Sequence, residues 1–156
     1  MKSIMMFFFM LTLTSGFAQN TVSWKGGTPG RETSWKEPRN WSNYQVPDEY
    51  THVIIAKLHT GHYAQPVIHD LVEVASIRVL AGASLKITDQ GEIVIDGSLT
   101  YTEGIVTQGG SIINEGRIQM VEVEAAQPDQ LEVENRDSGI VLLNGQPLES
   151  KGLARR

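Results

Sequence analysis

From Val53 onward the chain is written in short runs in which apolar and polar residues alternate, each bounded by glycine: SIRV, AGASLKI, QGEIVI, DGSLTY, GGSIIN and EGRIQM. Alternation with a period of two puts every second side chain on one face, as in a half-buried strand. Glycine beside Asp, Asn or Ser marks the turns between strands. Outside the N-terminal segment, no window of useful length carries apolar residues at helical spacing. The pattern therefore predicts an all-β chain.

The runs also repeat as a group. GEIVIDGSLTY, starting at Gly91, lies over GSIINEGRIQM, starting at Gly110. Both glycines align, as do Ile93 with Ile112, Val94 with Ile113, Asp96 with Glu115 and Leu99 with Ile118, at an offset of 110 − 91 = 19 residues. VLAGASLKI, ending at Ile87, follows the same unit with small length changes. A repeat of about 20 residues built from short strands and glycine turns predicts a β-solenoid. Each coil lies on the coil below in parallel register, inward residues form columns, and glycines permit the corners. The solenoid is expected over residues 53–147, of which residues 53–145 would hold about five such coils. The competing arrangement, an antiparallel sandwich, calls for Asn-Gly or Asp-Gly hairpin turns at a steady spacing of about 8–12 residues, which the chain lacks.

Residues 121–137, VEVEAAQPDQLEVENRD, alternate acidic with apolar positions. They read as two strands with glutamates facing water, joined around Pro128 and Asp129, with calcium binding as the functional alternative to a solvated face. GIVLLNG is a last strand, and residues 148–156 read as a disordered tail.

All three tryptophans, Trp24, Trp35 and Trp41, fall in residues 19–52, a stretch rich in Gly, Pro and Asn. The end of a solenoid exposes core side chains and unpaired strand edges and so needs a cap. Tryptophan covers a large apolar area with few rotatable bonds, so the segment reads as an N-terminal cap. The alternative makes Trp24, Trp35 and Trp41 a carbohydrate-binding surface, which requires exposed rings.

The first residues, MKSIMMFFFMLTLTSGFAQN, read as a signal peptide: Lys2 ahead of an apolar run, then Gly16-Phe17-Ala18 as a cleavage site. The run is shorter than the roughly 20 residues that span a bilayer. Cutting after Ala18 leaves 156 − 18 = 138 residues, suited to a single domain and starting at Gln19, which can cyclise. The expected location is secreted or at the cell surface, with no membrane span after cleavage. The full chain has a net charge of −5, and −6 without Lys2. With no basic patch, nucleic acid is not an expected partner. The chain has no cysteine. An exported fold must then hold without disulfides, and thiolate metal sites, cysteine nucleophiles and redox motifs are excluded.

Trp24-x-Gly26, Trp35, Asn40-Trp41, Val46-Pro47 and Val53-x-Ile55, followed by Gly82-x-x-Leu85-x-Ile87, resemble a module of secreted proteins of Bacteroidota. The resemblance covers roughly residues 22–101. It implies a right-handed parallel β-helix in adhesin-like or carbohydrate-active proteins, often long and exported by the type IX system. Two positions depart from it. His52 stands where the module has an acidic residue, and no sorting segment precedes Arg156. The latter reads as either a minimal solenoid or the front piece of a longer protein.

Candidate chemistry is sparse. His59 and His62 stand three apart, and His52 and His69 lie nearby with Asp70 and Glu73, but zinc wants three or four convergent ligands, so no metal or other cofactor is expected. Asp96 and Glu115 align in the 19-residue repeat. If stacked at about 4.8 Å they could form a carboxylate pair, although each precedes a turn glycine and reads first as a solvated turn residue. Arg78, Lys86 and Arg117 are candidate bases for a lyase, but no aspartate cluster accompanies them. Thr100, Thr102 and Thr107 do not recur at the repeat distance, as an ice-binding array would require. There is no nucleophile elbow and no phosphate-cradling loop. The expectation is a non-catalytic, secreted or cell-surface structural or adhesion module, with a polysaccharide or another cell-surface protein as partner. The alternative is a carbohydrate-binding or polysaccharide-degrading β-helix.

Overall fold

The computed structural model describes residues 20–57, 64–100, 102–123 and 131–148. Their strands are β1 (Asn20–Ser23), β2 (Thr51–Ile55), β3 (Val67–Ile68), β4 (Leu71–Glu73), β5 (Ser76–Leu80), β6 (Ser84–Ile87), β7 (Glu92–Asp96), β8 (Ile105–Gln108), β9 (Ser111–Asn114), β10 (Arg117–Val121), β11 (Val133–Asn135), β12 (Ile140–Leu143) and β13 (Gln146–Pro147). The one helical element among the described residues is a 3-10 turn at Pro38–Asn40.

The strands form three sheets, ordered β1-β2-β5-β8, β3-β6-β9-β11 and β4-β7-β10-β12-β13. Chain order visits the three in turn, so each circuit from β2, β5 or β8 makes one three-sided coil. Every pairing is parallel except that of β12 with β13. The fold is a parallel β-solenoid of about three turns, and the antiparallel sandwich is excluded.

Alternation within each strand turns every second residue inward, and parallel register stacks those residues. Val22, Val53, Ile77 and Ile105 form one column on the first face. Leu85, Ile112 and Val133 form one on the second, and Val72, Ile93, Ile118 and Val141 one on the third. All of these are buried.

The coil is longer than the 19-residue self-match. Ile93 lies on Ile118, an offset of 118 − 93 = 25, and Ser84 lies on Ser111, an offset of 111 − 84 = 27. Ile112, the match to Ile93, instead lies on Leu85 in another sheet. The self-match had superposed strands from two different faces. All three faces ask for the same local pattern, a glycine corner followed by alternating β-branched residues, so similarity within a coil outweighs similarity between coils. The expected five coils become about three.

The corner between the second and third faces carries a glycine column: Gly91, Gly116 and Gly139, each just before its strand. A Cβ on Gly116 would lie 2.2 Å from the Gly91 carbonyl oxygen, and one on Gly139 would lie 2.0 Å from that of Asn114. Backbones of successive coils touch here, which leaves no room for a side chain.

A second column changes chemistry partway up. Ile68 and Ile87 are followed by Asn114 and Asn135. Asn114 is fully buried; its Nδ2 donates to Asn135 Oδ1 at 2.9 Å and to the Ile140 carbonyl at 3.1 Å, while its Oδ1 accepts from Gly116 N at 3.1 Å. Asn114 therefore has a partner rung in Asn135.

In the acidic stretch, β10 ends at Val121 and β11 begins at Val133; the proposed joint around Pro128 and Asp129 lies outside the described residues. At the far end, Asn144 (φ 49°) and Gly145 (φ 75°) turn the chain back into β13, the backbone signature of a type I′ hairpin. Pro147 removes a donor from that edge. Leu148, placed in the tail by sequence, donates its N–H to the Val141 carbonyl at 2.8 Å and packs on the core; the rest of the tail lies outside the described residues.

Candidate functional site

The tryptophan segment begins inside the solenoid, because β1 pairs in parallel beneath β2. Ser34 bridges Val67 of β3 from below, so residues 24–41 pass under the first coil. The three indoles meet there. Trp41 sits edge-on to both others, with centroids 5.0 Å from Trp24 and 4.7 Å from Trp35, and Trp24 and Trp35 lie 6.5 Å apart and nearly parallel. Their exposures are 2 % for Trp24, 2 % for Trp35 and 0 % for Trp41, and they are continuous with the core.

Polar groups hold this irregular chain in shape. Asn40 is buried; its Oδ1 accepts from Thr28 N and its Nδ2 donates to the Arg31 and Ser34 carbonyls. Trp41 Nε1 donates to the Trp35 carbonyl and Trp24 Nε1 to that of Ala64, each at 2.8 Å. Gly26 has φ +62°, and a Cβ there would lie 2.8 Å from Trp24 Nε1, so the Trp-x-Gly spacing follows from the ring folding back over the glycine. The Arg39 guanidinium, 2.7 Å from the buried Glu37, holds that carboxyl below its ordinary range. A stacking platform needs an open ring face, and none of the three tryptophans offers one. Their geometry is that of packing under the first coil.

The other candidates are dispersed. Asp96 pairs with Val121 and not with Glu115, so the two carboxylates do not stack. Hydrogen bonds from the Ser98 hydroxyl and amide hold the Asp96 carboxyl below its ordinary range, and Lys86 Nζ holds Glu115 at 3.1 Å. Arg78 is 3.0 Å from Glu103, and Arg117 is 3.8 Å from Glu92. A shallow groove of about 240 Å³ runs along the glycine corner between Asp89, Glu92, Arg117 and Ser138. His59 and His62 lie outside the described residues, and His69 sits at an exposed corner. No group of three metal-ligating side chains occurs among the described residues, and no helix among them is long and apolar enough to cross a membrane.

His52 faces outward on β2, with Nδ1 2.8 Å from Ser76 Oγ in the next coil. Burial, with the Arg78 charge adding to it, pushes its pKa below the ordinary histidine value, while Glu103 pulls the other way.

Among the described residues, the exposed aromatics are tyrosines that the sequence did not single out. Tyr44 is 65 % and Tyr50 54 % exposed, with Val46 between them. Tyr44 holds φ 59°, unusual for an aromatic residue, and Lys25 Nζ lies 4.0 Å from its ring centroid. Asp48 pins the loop by accepting from Tyr50 N and the Thr51 hydroxyl. The tryptophan-rich stretch drew attention by composition; which rings reach solvent depends on the tertiary path.

No protein-family model matches this chain, and neither the curated proteins nor the solved structures compared with it give a match.

Trp41→Ala should lower unfolding stability by about 3–5 kcal/mol in urea titrations, as expected for deleting a fully buried large ring; wild-type stability would show that the cluster is not supporting the fold. For His52, the folded pKa lies below an unfolded value of about 6.5. The unfolded chain therefore binds the proton first, and the contribution is intact above that value and lost as pH falls toward the lowered folded value. Replacing His52 with Gln should flatten this part of the stability–pH curve; an unchanged slope would remove His52 as its source.

Proposed function

We propose that this chain is the β-solenoid of an exported protein and acts without catalysis, as a structural or adhesion module in the secreted or cell-surface compartment. The observation that supports this most is the use of its charged side chains. Asp96, Glu115, Glu92, Glu103 and His52 each engage a neighbour in the same or the next coil. A general acid needs a raised pKa, and that of Asp96 is moved the opposite way. These side chains brace the faces instead of converging on a reacting atom. The resemblance to secreted modules of Bacteroidota, carried by Trp24, Trp35, Asn40-Trp41 and Val46-Pro47, supports the same compartment.

One observation favours the second reading, carbohydrate binding. Tyr44 and Tyr50 offer exposed rings on a pinned loop, where a sugar ring can stack on its apolar face and use the phenolic hydroxyl. A panel of soluble and insoluble polysaccharides separates the readings when retention and release of reducing ends are both measured. The proposal expects no release of reducing ends. Release that scales with enzyme concentration and disappears on Asp96→Asn or Glu92→Gln would contradict it. Retention on a glycan that falls at least tenfold on Tyr44→Ala would establish the carbohydrate reading.

A further inference from the structure

The three sheets do not begin alike. The first starts at β1, whose lower edge is engaged by Ser42, since Ser23 O accepts from Ser42 N at 3.0 Å. The second starts at β3, bridged from below by Ser34. The third starts at β4, and no described residue pairs beneath it.

Backbone alternation says which groups no described residue pairs there. Glu92 N donates to the Asp70 carbonyl and Val74 N to the Val94 carbonyl, so residues 70, 72 and 74 face β7 above. The N–H and C=O of Leu71 and Glu73 then face downward. Leu71 is 51 % exposed. Beside this edge lies a groove of about 110 Å³, lined by Trp35, Lys36, Val67, Ile68, Asp70 and Val72 among others. Trp35, which lines the groove, has a buried indole N–H with no acceptor among the described residues, whereas Trp24 and Trp41 each donate to a backbone carbonyl. The rim is acidic. Lys36 pairs with Asp70 at 3.7 Å, and Glu73 takes part in no ion pair among the described residues.

We propose that this edge is a docking site for an extended segment of another polypeptide, which adds a strand below β4. Its backbone pairs with Leu71 and Glu73, its inward apolar side chain fills the groove beside Trp35 and Val72, and a basic residue faces Glu73. Strand addition draws its affinity from main-chain pairing and its selectivity from alternate side chains, and both elements are present here. The site rests on the fold alone, so its failure would leave the proposed function standing.

The probe is a blocked peptide with the sequence of β10 carrying arginine in place of Gln119, acetyl-RIRMV-amide, because β7 on this face already pairs with that strand, and the same register on β4 sets Ile118 against Val72 and position 119 against Glu73. It is titrated into the full chain while backbone amide resonances are followed. The expected result is saturable shifts at Leu71 and Glu73, weakened several-fold by Glu73→Lys. Two further peptides, N-methylated at alternate residues in opposite phase, sharpen the test. One phase should bind and the other should not, because only one side of a strand faces β4. Leu71→Pro removes a downward-facing donor and should abolish the shifts; if that variant fails to fold, the N-methylated pair still decides. No shift at millimolar peptide, equal binding by both phases, or peptide-independent dimerisation through the same amides would overturn the proposal.

Discussion

Every described strand except β13 hydrogen-bonds to the strand directly above or below it in parallel register, and the rest of the structure depends on that stacking. It sets inward residue on inward residue, so the core consists of columns and not of a central cluster. A buried isoleucine contributes about 1.5–3 kcal/mol by leaving water. A column extends that gain coil by coil. Repetition supplies what one circuit of the chain cannot, and it does so in a protein with no cysteine to staple it.

Stacking also sets the problems at the ends. Below the first coil, three indoles close the core, and Asn40 satisfies the backbone of an irregular loop that no sheet could serve. At the other end of the described residues the hairpin into β13 folds back on β12 and carries Pro147. Between them, the Asn114–Asn135 pair replaces isoleucine packing with hydrogen bonds. An amide in the core is tolerated because Asn114 finds partners for both ends of its side chain, including the Gly116 N–H at the glycine corner.

The alternation and the glycine corners were legible in the sequence and marked the strands and the inward residues. The parallel stacking was reached through the 19-residue self-match and the lack of regularly spaced hairpin turns, and that self-match superposes strands of two different faces. Coil length was not legible, because three faces with equal demands produce equal local patterns; Ile93 resembles Ile112 as closely as it resembles its true neighbour Ile118. The error carried forward to Asp96 and Glu115, whose apparent stacking came from that alignment. Asn135 escaped notice because its run, EVENRD, reads as a charged surface, and only the register places it over Asn114. The tyrosines escaped because only the tryptophans, read first as a buried cap and alternatively as a binding surface, were weighed as aromatic candidates.

In functional terms, several outward charged side chains pair with neighbouring coils, and the two proposals rest on the exposed tyrosine loop and on the edge of β4 that no described residue pairs. All of this rests on the coil register, which a pair of cysteines tests in a chain that otherwise has none. Val94 and Gln119 face outward as register partners, and adjacent strands lie about 4.8 Å apart, inside the roughly 4.4–6.8 Å window for a disulfide. Val94→Cys with Gln119→Cys should oxidise to an intramolecular crosslink in the folded protein, whereas Val94→Cys with Ile113→Cys should stay reduced. A crosslink between 94 and 113 with none between 94 and 119 would restore the 19-residue coil and contradict the architecture described.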